Sequence, residues 1–510
     1  MMDMNNAPPL RTYEPGERFD AEYDDNLVPP DFRHNPLIEA MAPDGTEAGV
    51  LKTLLHRPTY DPRHRFIEDP MKRIHLIDSV TRFFMPLPKT WELATLFSRA
   101  IRQGYVSRNP LYRLPAGELR AMMEGCDPSV TIPRIHDEDV RTFAAIGSSG
   151  IGKSTNVYRI LCLQPQVIMH TIYRNGVRLD LVQVVYLKID CPKDRSLKSL
   201  GEAFFRAVDE LLGTNYYGEW AKGKTEGHMI IGMGVVARII NLGTLVLDEI
   251  QFLAETNRGN LNEVLNFLTI LVNKAKIPIV FVGTHKAHKI LGTKTRLARR
   301  SCGFGDFEWD QIEKGPDWDL FLRALWRYNY LAEDWPTLPP KDISDVLWHE
   351  TQGVTDFVVK VFLQAQIRAI HAKNEIMTPH LIETVSIDRL RMARPLLLAL
   401  QSGDANMLQE IDDIDPIALQ LFQQRALEEI RTVQREAKAR TTDNGGVDGV
   451  GSDEASAVTQ TSPVFQRSPQ ATGTHDVTAT VSDAPRRPRS QRAKADVGER
   501  RVRRPVSPKP

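Results

Sequence analysis

Residues 147–154 read Gly-Ser-Ser-Gly-Ile-Gly-Lys-Ser, and no other stretch limits the fold so strongly. A short apolar run at 142–146 precedes them, and a helical pattern runs on to about residue 163. A strand, a glycine loop and a helix in that order build a cradle for phosphate. The glycines let backbone N–H groups turn inward, and the helix adds the positive end of its dipole. Gly147, Ser148, Ser149, Gly150, Ile151, Gly152, Lys153, Ser154 and Thr155 are the expected phosphate contacts. Lys153 would reach the β- and γ-phosphates, and the Ser154 hydroxyl would ligate Mg²⁺. The expected ligand is ATP with Mg²⁺.

Such a loop needs an acidic partner at the end of a buried strand. Thr244-Leu245-Val246-Leu247-Asp248-Glu249 has that pattern, about 95 residues after the loop. Asp248 would hold the Mg²⁺ through water, and Glu249 would polarise the attacking water as general base. The next apolar strand, 277–282, ends in Gly283-Thr284, where a hydroxyl would sense the γ-phosphate. Arg299 or Arg300, in Thr295-Arg296-Leu297-Ala298-Arg299-Arg300, would reach a neighbouring subunit's nucleotide in trans.

Around these motifs the pattern alternates between strand and helix, which predicts an α/β layer with a mainly parallel sheet over residues 136–310. Runs at 167–173 and 182–189 flank Arg174-Asn175-Gly176, a hairpin signal. Residues 1–34 read as an irregular arm and 35–135 as a helical N-terminal region. Residues 311–436 read as a helical lid with further C-terminal helices. The stretch 437–510 is Ser/Thr/Gly/Pro/Asp-rich and too poor in large apolar residues to offset the entropy of ordering, so it reads as a disordered tail. Its end is basic, with ten Lys/Arg between Arg486 and Pro510 against Asp496 and Glu499. The whole chain is formally neutral, so any nucleic-acid partner must be met by local patches. Four scattered cysteines without a C-x-x-C pair argue against a zinc or disulfide framework and for a reducing compartment. No apolar run approaches the ~20 residues that cross a bilayer, and the N-terminal residues lack a signal-peptide pattern, so no membrane partner is expected.

The succession of glycine loop, hairpin, Leu-Asp-Glu-Ile-Gln (247–251), Gly-Thr (283–284), Ala-Arg-Arg (298–300) and Gly-Phe-Gly (303–305) resembles the AAA+ ATPases. Within that class the chain is similar to TnsC, the ATP-dependent regulator of Tns-type DNA transposons, and to its TniB relatives. Asn-Pro-Leu-Ile-Glu-Ala (35–40), Gly-Tyr-Val-Ser-Arg-Asn-Pro (104–110), Gln-Val-Val-Tyr-Leu-Lys-Ile-Asp-Cys (183–191), Leu-Asn-Phe (265–267) and Gln-Gly-Val (352–354) followed by Val-Val-Lys (358–360) carry the likeness over roughly residues 35–400. The resemblance implies a cytoplasmic, bacterial, DNA-associated protein that oligomerises with ATP on double-stranded target DNA as a ring or helical filament. It would link a TniQ/TnsD-type target selector to a TnsA/TnsB-type transposase, and hydrolysis would disassemble the complex. The selector contact is expected in the helical N-terminal region. One departure stands out: the lid carries Gly353-Val354-Thr355-Asp356 where many AAA+ proteins place an arginine.

Two segments are candidates for DNA. Lys188, Lys193, Arg195 and Lys198 follow the hairpin, and this assignment leans on the resemblance. Lys222 and Lys224 end a run that interleaves them with Tyr216, Tyr217 and Trp220, matching a charged groove with stacking rings. A solvated loop with partly buried rings is the alternative there. Two other readings of the whole chain remain at this level: a different AAA+ DNA machine of replication-initiator or helicase-loader type, and a scaffold whose nucleotide only locks the fold.

Overall fold

A computed structural model describes residues 10–24, 28–113, 140–193, 196–253, 268, 272, 275–287, 303–333 and 335–403. Among them five strands form one parallel sheet in the order β5-β6-β7-β2-β8: β2 Phe143–Ile146, β5 Tyr186–Asp190, β6 Thr244–Asp248, β7 Ile279–Gly283 and β8 Asp306–Glu308. Alternate residues of these strands feed separate apolar clusters, as a two-residue repeat requires. Leu245, Leu247, Ile279, Phe281, Leu187 and Ile189 join the cluster that includes the helices Leu197–Leu212 and Glu226–Ile239. Val246, Val280, Val282, Phe143 and Ala145 join the cluster that includes the helices Pro88–Val106 and Lys153–Leu161. The sheet is therefore covered on both faces.

Helix ends follow their residues. Ser196 Oγ accepts from the Ser199 N–H at 3.0 Å, opening the helix Leu197–Leu212, and Gly213 closes it at φ 72°. The apolar spacing of Leu197, Leu200, Phe204, Val208 and Leu211 predicts one buried stripe, and the helix buries the first four of them while Leu211 is half-buried.

The expected hairpin forms, with β3 Val167–Ile172 antiparallel to β4 Arg178–Val184 around a turn holding Asn175 at φ 53°. The run at 182–189 is nevertheless two strands. At Val185 the chain leaves the hairpin, and β5 enters the central sheet beside β6. The hairpin gains its third strand from the N-terminal arm, where β1, Arg18–Asp20, pairs parallel to β3.

The helical N-terminal region divides between two bodies. Leu37, Ile38, Val50, Leu93 and Phe97 pack with the nucleotide-binding core. Ile77, Val80 and Phe83 pack instead in the lid, among Trp318, Phe321, Leu347 and Phe362 of the helices Pro316–Trp326, Lys341–Thr351 and Thr355–Ala372. A two-pronged ion pair fastens this segment: Arg73 Nη1 and Nη2 donate to Glu375 Oε2 and Oε1, each at 2.6 Å.

Three motif segments converge in one buried polar node. Asn35 Nδ2 donates to the Tyr105 carbonyl at 2.9 Å, Asn109 Nδ2 to the His34 carbonyl at 2.7 Å, and Gln183 Nε2 to the Leu37 carbonyl at 2.7 Å. The fully buried Glu39 carboxylate accepts from the His34 N–H at 2.7 Å and the Tyr173 hydroxyl at 2.8 Å, with Arg174 at 3.3 Å. His170 lies between Tyr23 and Gln183, 2.8 Å from each, and burial holds its imidazole down at about 4. The node ties the hairpin to the core through these hydrogen bonds. Residues 404–510, including the expected helices to 436 and the tail, and most of 254–274 lie outside the described residues.

Candidate functional site

Strand β2 delivers the glycine loop from between β7 and the edge strand β8. At Gly147 a Cβ would stand 2.0 Å from the Trp309 carbonyl oxygen, so only glycine fits. Gly150 and Gly152 turn the loop at φ 79° and 91°, and Gly152 precedes the helix that begins at Lys153. The Lys153 ammonium donates to the carbonyls of Gly147 and Ser148 at 2.7 and 2.6 Å, folded back over its own loop.

A cavity of about 210 Å³ lies over this loop. Its walls join Lys153 and Ser154 to Asp248, Glu249, Thr284 and Asp356, the last from the lid. Four separately expected elements therefore meet in one place: the loop, the acidic strand end, the threonine of the next strand and the lid helix. Asp248 is buried, and its Oδ1 accepts the Glu249 N–H at 2.9 Å. Glu249 stands at φ 56°, a left-handed conformation that costs a non-glycine residue on the order of 1–3 kcal/mol. Thr284 Oγ1 is buried without a partner, as a group waiting for a ligand oxygen or water would be.

Gln251 is the member of this site to which sequence reasoning gave no role. Its Nε2 donates to Glu249 Oε2, and its Oε1 accepts the Thr284 N–H at 3.1 Å. One amide thus fixes the carboxylate and the threonine relative to each other. The signal was present in the Leu-Asp-Glu-Ile-Gln run, but only the fold brings residue 251 beneath 284.

The donor set fits Mg²⁺. A hydroxyl and a buried carboxylate face one cavity, which leaves room for phosphate oxygens and water in the sphere of a hard cation. Among the described residues no cluster of three or more His, Cys, Asp or Glu forms an all-protein cage.

A second cavity, of about 620 Å³, adjoins the loop at Gly152, Thr155 and Asp356 and runs between the N-terminal segment and the lid. Phe83, Phe84, Trp309 and Phe321 line it, with Lys89, Asp310 and Lys360 among its polar groups. An apolar space with a few polar groups, opening next to a phosphate cradle, suits the base and sugar of a nucleotide.

Asp248 Oδ2 also receives the Lys188 ammonium, at 2.9 Å. Lys188 is thus paired with the acidic strand end. Lys193 lies over the Phe252 ring at 5.8 Å and borders a cavity beside Glu249. Lys198, Lys222 and Lys224 are exposed. The rings near the last two are committed to packing: Trp220 stacks on His228 at 4.9 Å, and the Tyr217 hydroxyl accepts from Arg206 at 3.0 Å. Arg195, Arg299 and Arg300 lie outside the described residues.

A parallel five-stranded sheet in this order, with the phosphate loop leaving the strand next to its β8 edge and a helical lid over the site, decides the class. This is the AAA+ P-loop fold. Residues 138–291 match the family model for the AAA domain. No curated protein matches the chain. Among solved structures it is similar to a Walker-type ATPase of Pyrococcus abyssi, at 13% identity and TM-score 0.35, over 52% of this chain and 72% of that one. It is also similar to the ORC2 protein of Aeropyrum pernix, solved as ADPNP–ADP complexes, at 14% identity and TM-score 0.30, over 62% of this chain and 79% of that one. Among the described residues no helix is long and apolar enough to cross a membrane.

Proposed function

We propose that the protein is a Mg²⁺-dependent ATPase that assembles on double-stranded DNA in its ATP state and regulates DNA transposition. The observation that carries the ATPase reading is the meeting of Lys153, Ser154, Asp248, Glu249 and Thr284 around one cavity. With ATP in place, Lys153 would leave its loop carbonyls for the β- and γ-phosphates, and Ser154 and Asp248 would hold the metal. Glu249, steadied by Gln251, would take the proton of the attacking water, and the free Thr284 hydroxyl would orient that water or the γ-phosphate. A bound Mg²⁺ supplies charge neutralisation between the phosphates. The larger cavity would hold the adenosine. Arg299 or Arg300 would complete the site from a neighbouring subunit.

The transposition reading is supported by the segments at 35–40, 104–110 and 183–191 and by their order around the nucleotide motifs. On this reading, ATP-bound subunits form a ring or filament on target DNA. The assembly bridges a TniQ/TnsD-type selector and a TnsA/TnsB-type transposase, and hydrolysis takes it apart. Lys193, Arg195, Lys198, Lys222 and Lys224 are the proposed phosphate contacts to DNA. Analytical sedimentation of the full chain with duplex DNA tests this. A non-hydrolysable ATP analogue should give a large DNA-bound oligomer that ADP does not give; one small species in both states would overturn the DNA-switch reading.

A further inference from the structure

Asp248 already carries a cation. Its carboxylate is 4% exposed, with Oδ1 occupied by the Glu249 N–H at 2.9 Å and Oδ2 by the Lys188 ammonium at 2.9 Å. The same ammonium donates to Asp190 Oδ1 at 2.6 Å. This triad follows from strand register. Asp190 of β5 lies opposite Asp248 of β6, and Lys188, two residues before Asp190, shares its face of the sheet. The two carboxylates differ: Asp248 is buried, while the Asp190 side chain is 72% exposed.

A buried carboxylate needs a counter-charge at every stage of a binding cycle. A metal at Ser154 and Asp248 would compete with Lys188 for the same carboxylate. Asp190 gives the displaced lysine a solvent-side partner, so it can leave Asp248 without becoming an unpaired charge. We propose that Lys188 is a positioning residue of the nucleotide site: it holds the Asp248 carboxylate oriented in the metal-free protein, and withdraws to Asp190 when a metal–nucleotide complex takes its place. The inference rests on the Mg²⁺–nucleotide reading of the site, and it makes Lys188 a brake on metal binding.

The test is the Mg²⁺ dependence of fluorescent ADP binding to the full-length chain, read without any turnover. Lys188→Met should lower the Mg²⁺ midpoint about tenfold, the equivalent of about 1.4 kcal/mol. Its nucleotide-free form should melt at a lower temperature than wild type, with the difference removed by Mg²⁺–ADP. Asp190→Asn takes away the retreat and should shift the midpoint in the opposite direction, which keeps the test open if Lys188→Met folds poorly. Unchanged midpoints in both variants would overturn the proposal. So would a Lys188→Met protein that loses DNA affinity at an unchanged midpoint, since the lysine would then be a DNA contact. Wild-type protein without Mg²⁺-dependent ADP binding would overturn the underlying nucleotide reading, a distinct result.

Discussion

Replacing Gln251 by leucine removes two interactions at once and keeps the volume nearly constant. The Glu249 carboxylate loses the Nε2–H donor, and the Thr284 N–H loses the Oε1 acceptor at 3.1 Å. Gln251 itself is 7% exposed, so little water reaches the gap. A hydrogen bond to a charged group contributes about 1.5–3 kcal/mol. Glu249 would be freed to rotate from its left-handed backbone position, and Thr284 would drift on the strand end. If the whole of one such interaction orients the transition state, kcat falls by about 10–150-fold. Nucleotide affinity should stay within about twofold, because Gln251 does not line the cavity over the phosphate loop. Steady-state phosphate release at saturating Mg²⁺–ATP gives the first number and equilibrium titration with fluorescent ADP the second. A kcat equal to wild type would refute the positioning role. A loss confined to affinity would place Gln251 in binding and not in chemistry.

Other consequences can be measured independently of turnover. Glu375→Ala leaves Arg73, 7% exposed, as a buried cation without its carboxylate, and should destabilise the lid by about 3–5 kcal/mol, read as a fall in the denaturation midpoint; a change below about 1 kcal/mol would mean that the Arg65 and Tyr330 carbonyls suffice for Arg73. His170 is held neutral to about 4 against an ordinary 6.5. The unfolded chain therefore takes up a proton before the folded one as pH falls, and stability declines from pH 6.5 down to about 4, by at most about 3 kcal/mol from this group. His170→Gln should flatten that decline in denaturation measurements at pH 7, 5.5 and 4.5; an identical slope in both proteins would assign the acid sensitivity elsewhere.

The central layer was legible because each of its signals is local. Short apolar runs marked β2, β6 and β7 within two residues of their ends, and the glycine loop stood where Gly147 admits no side chain. The periodicity of the helix Leu197–Leu212 likewise named its buried face. What stayed hidden depends on pairing between distant segments. The run 182–189 looks like one strand because its residues are uniformly β-prone; its division at Val185 follows from two different partners, β3 and β6. The N-terminal arm gave no sign of β1, since three residues beside a ready hairpin edge need no periodicity of their own. Ile77, Val80 and Phe83 carry no mark that sends them to the lid, about 240 residues further on.

At the site the same division holds. Asp248, Glu249 and Thr284 were nameable because they end strands in a fixed order, and the cavity that joins them brings no new residue types. Gln251 and Lys188 were visible as letters but not as neighbours. A lysine in a strand reads as an outward charge, and only the parallel register of β5 with β6 turns it toward Asp248. The segments at 35–40, 104–110 and 183–191, met as family marks, prove to share hydrogen bonds across the node of Asn35, Tyr105, Asn109 and Gln183.

The most direct measurement is single-turnover hydrolysis of ATP by the full chain with Glu249→Gln. The substitution keeps the side chain's size and its hydrogen-bonding reach but removes the base. Wild type should release phosphate in the presence of Mg²⁺. The variant should bind Mg²⁺–ATP with affinity within about threefold of wild type and hydrolyse it at least about 100-fold more slowly. Equal turnover in the two proteins would contradict the assignment of Glu249 and, with it, the hydrolysing site built around Lys153, Asp248 and Thr284.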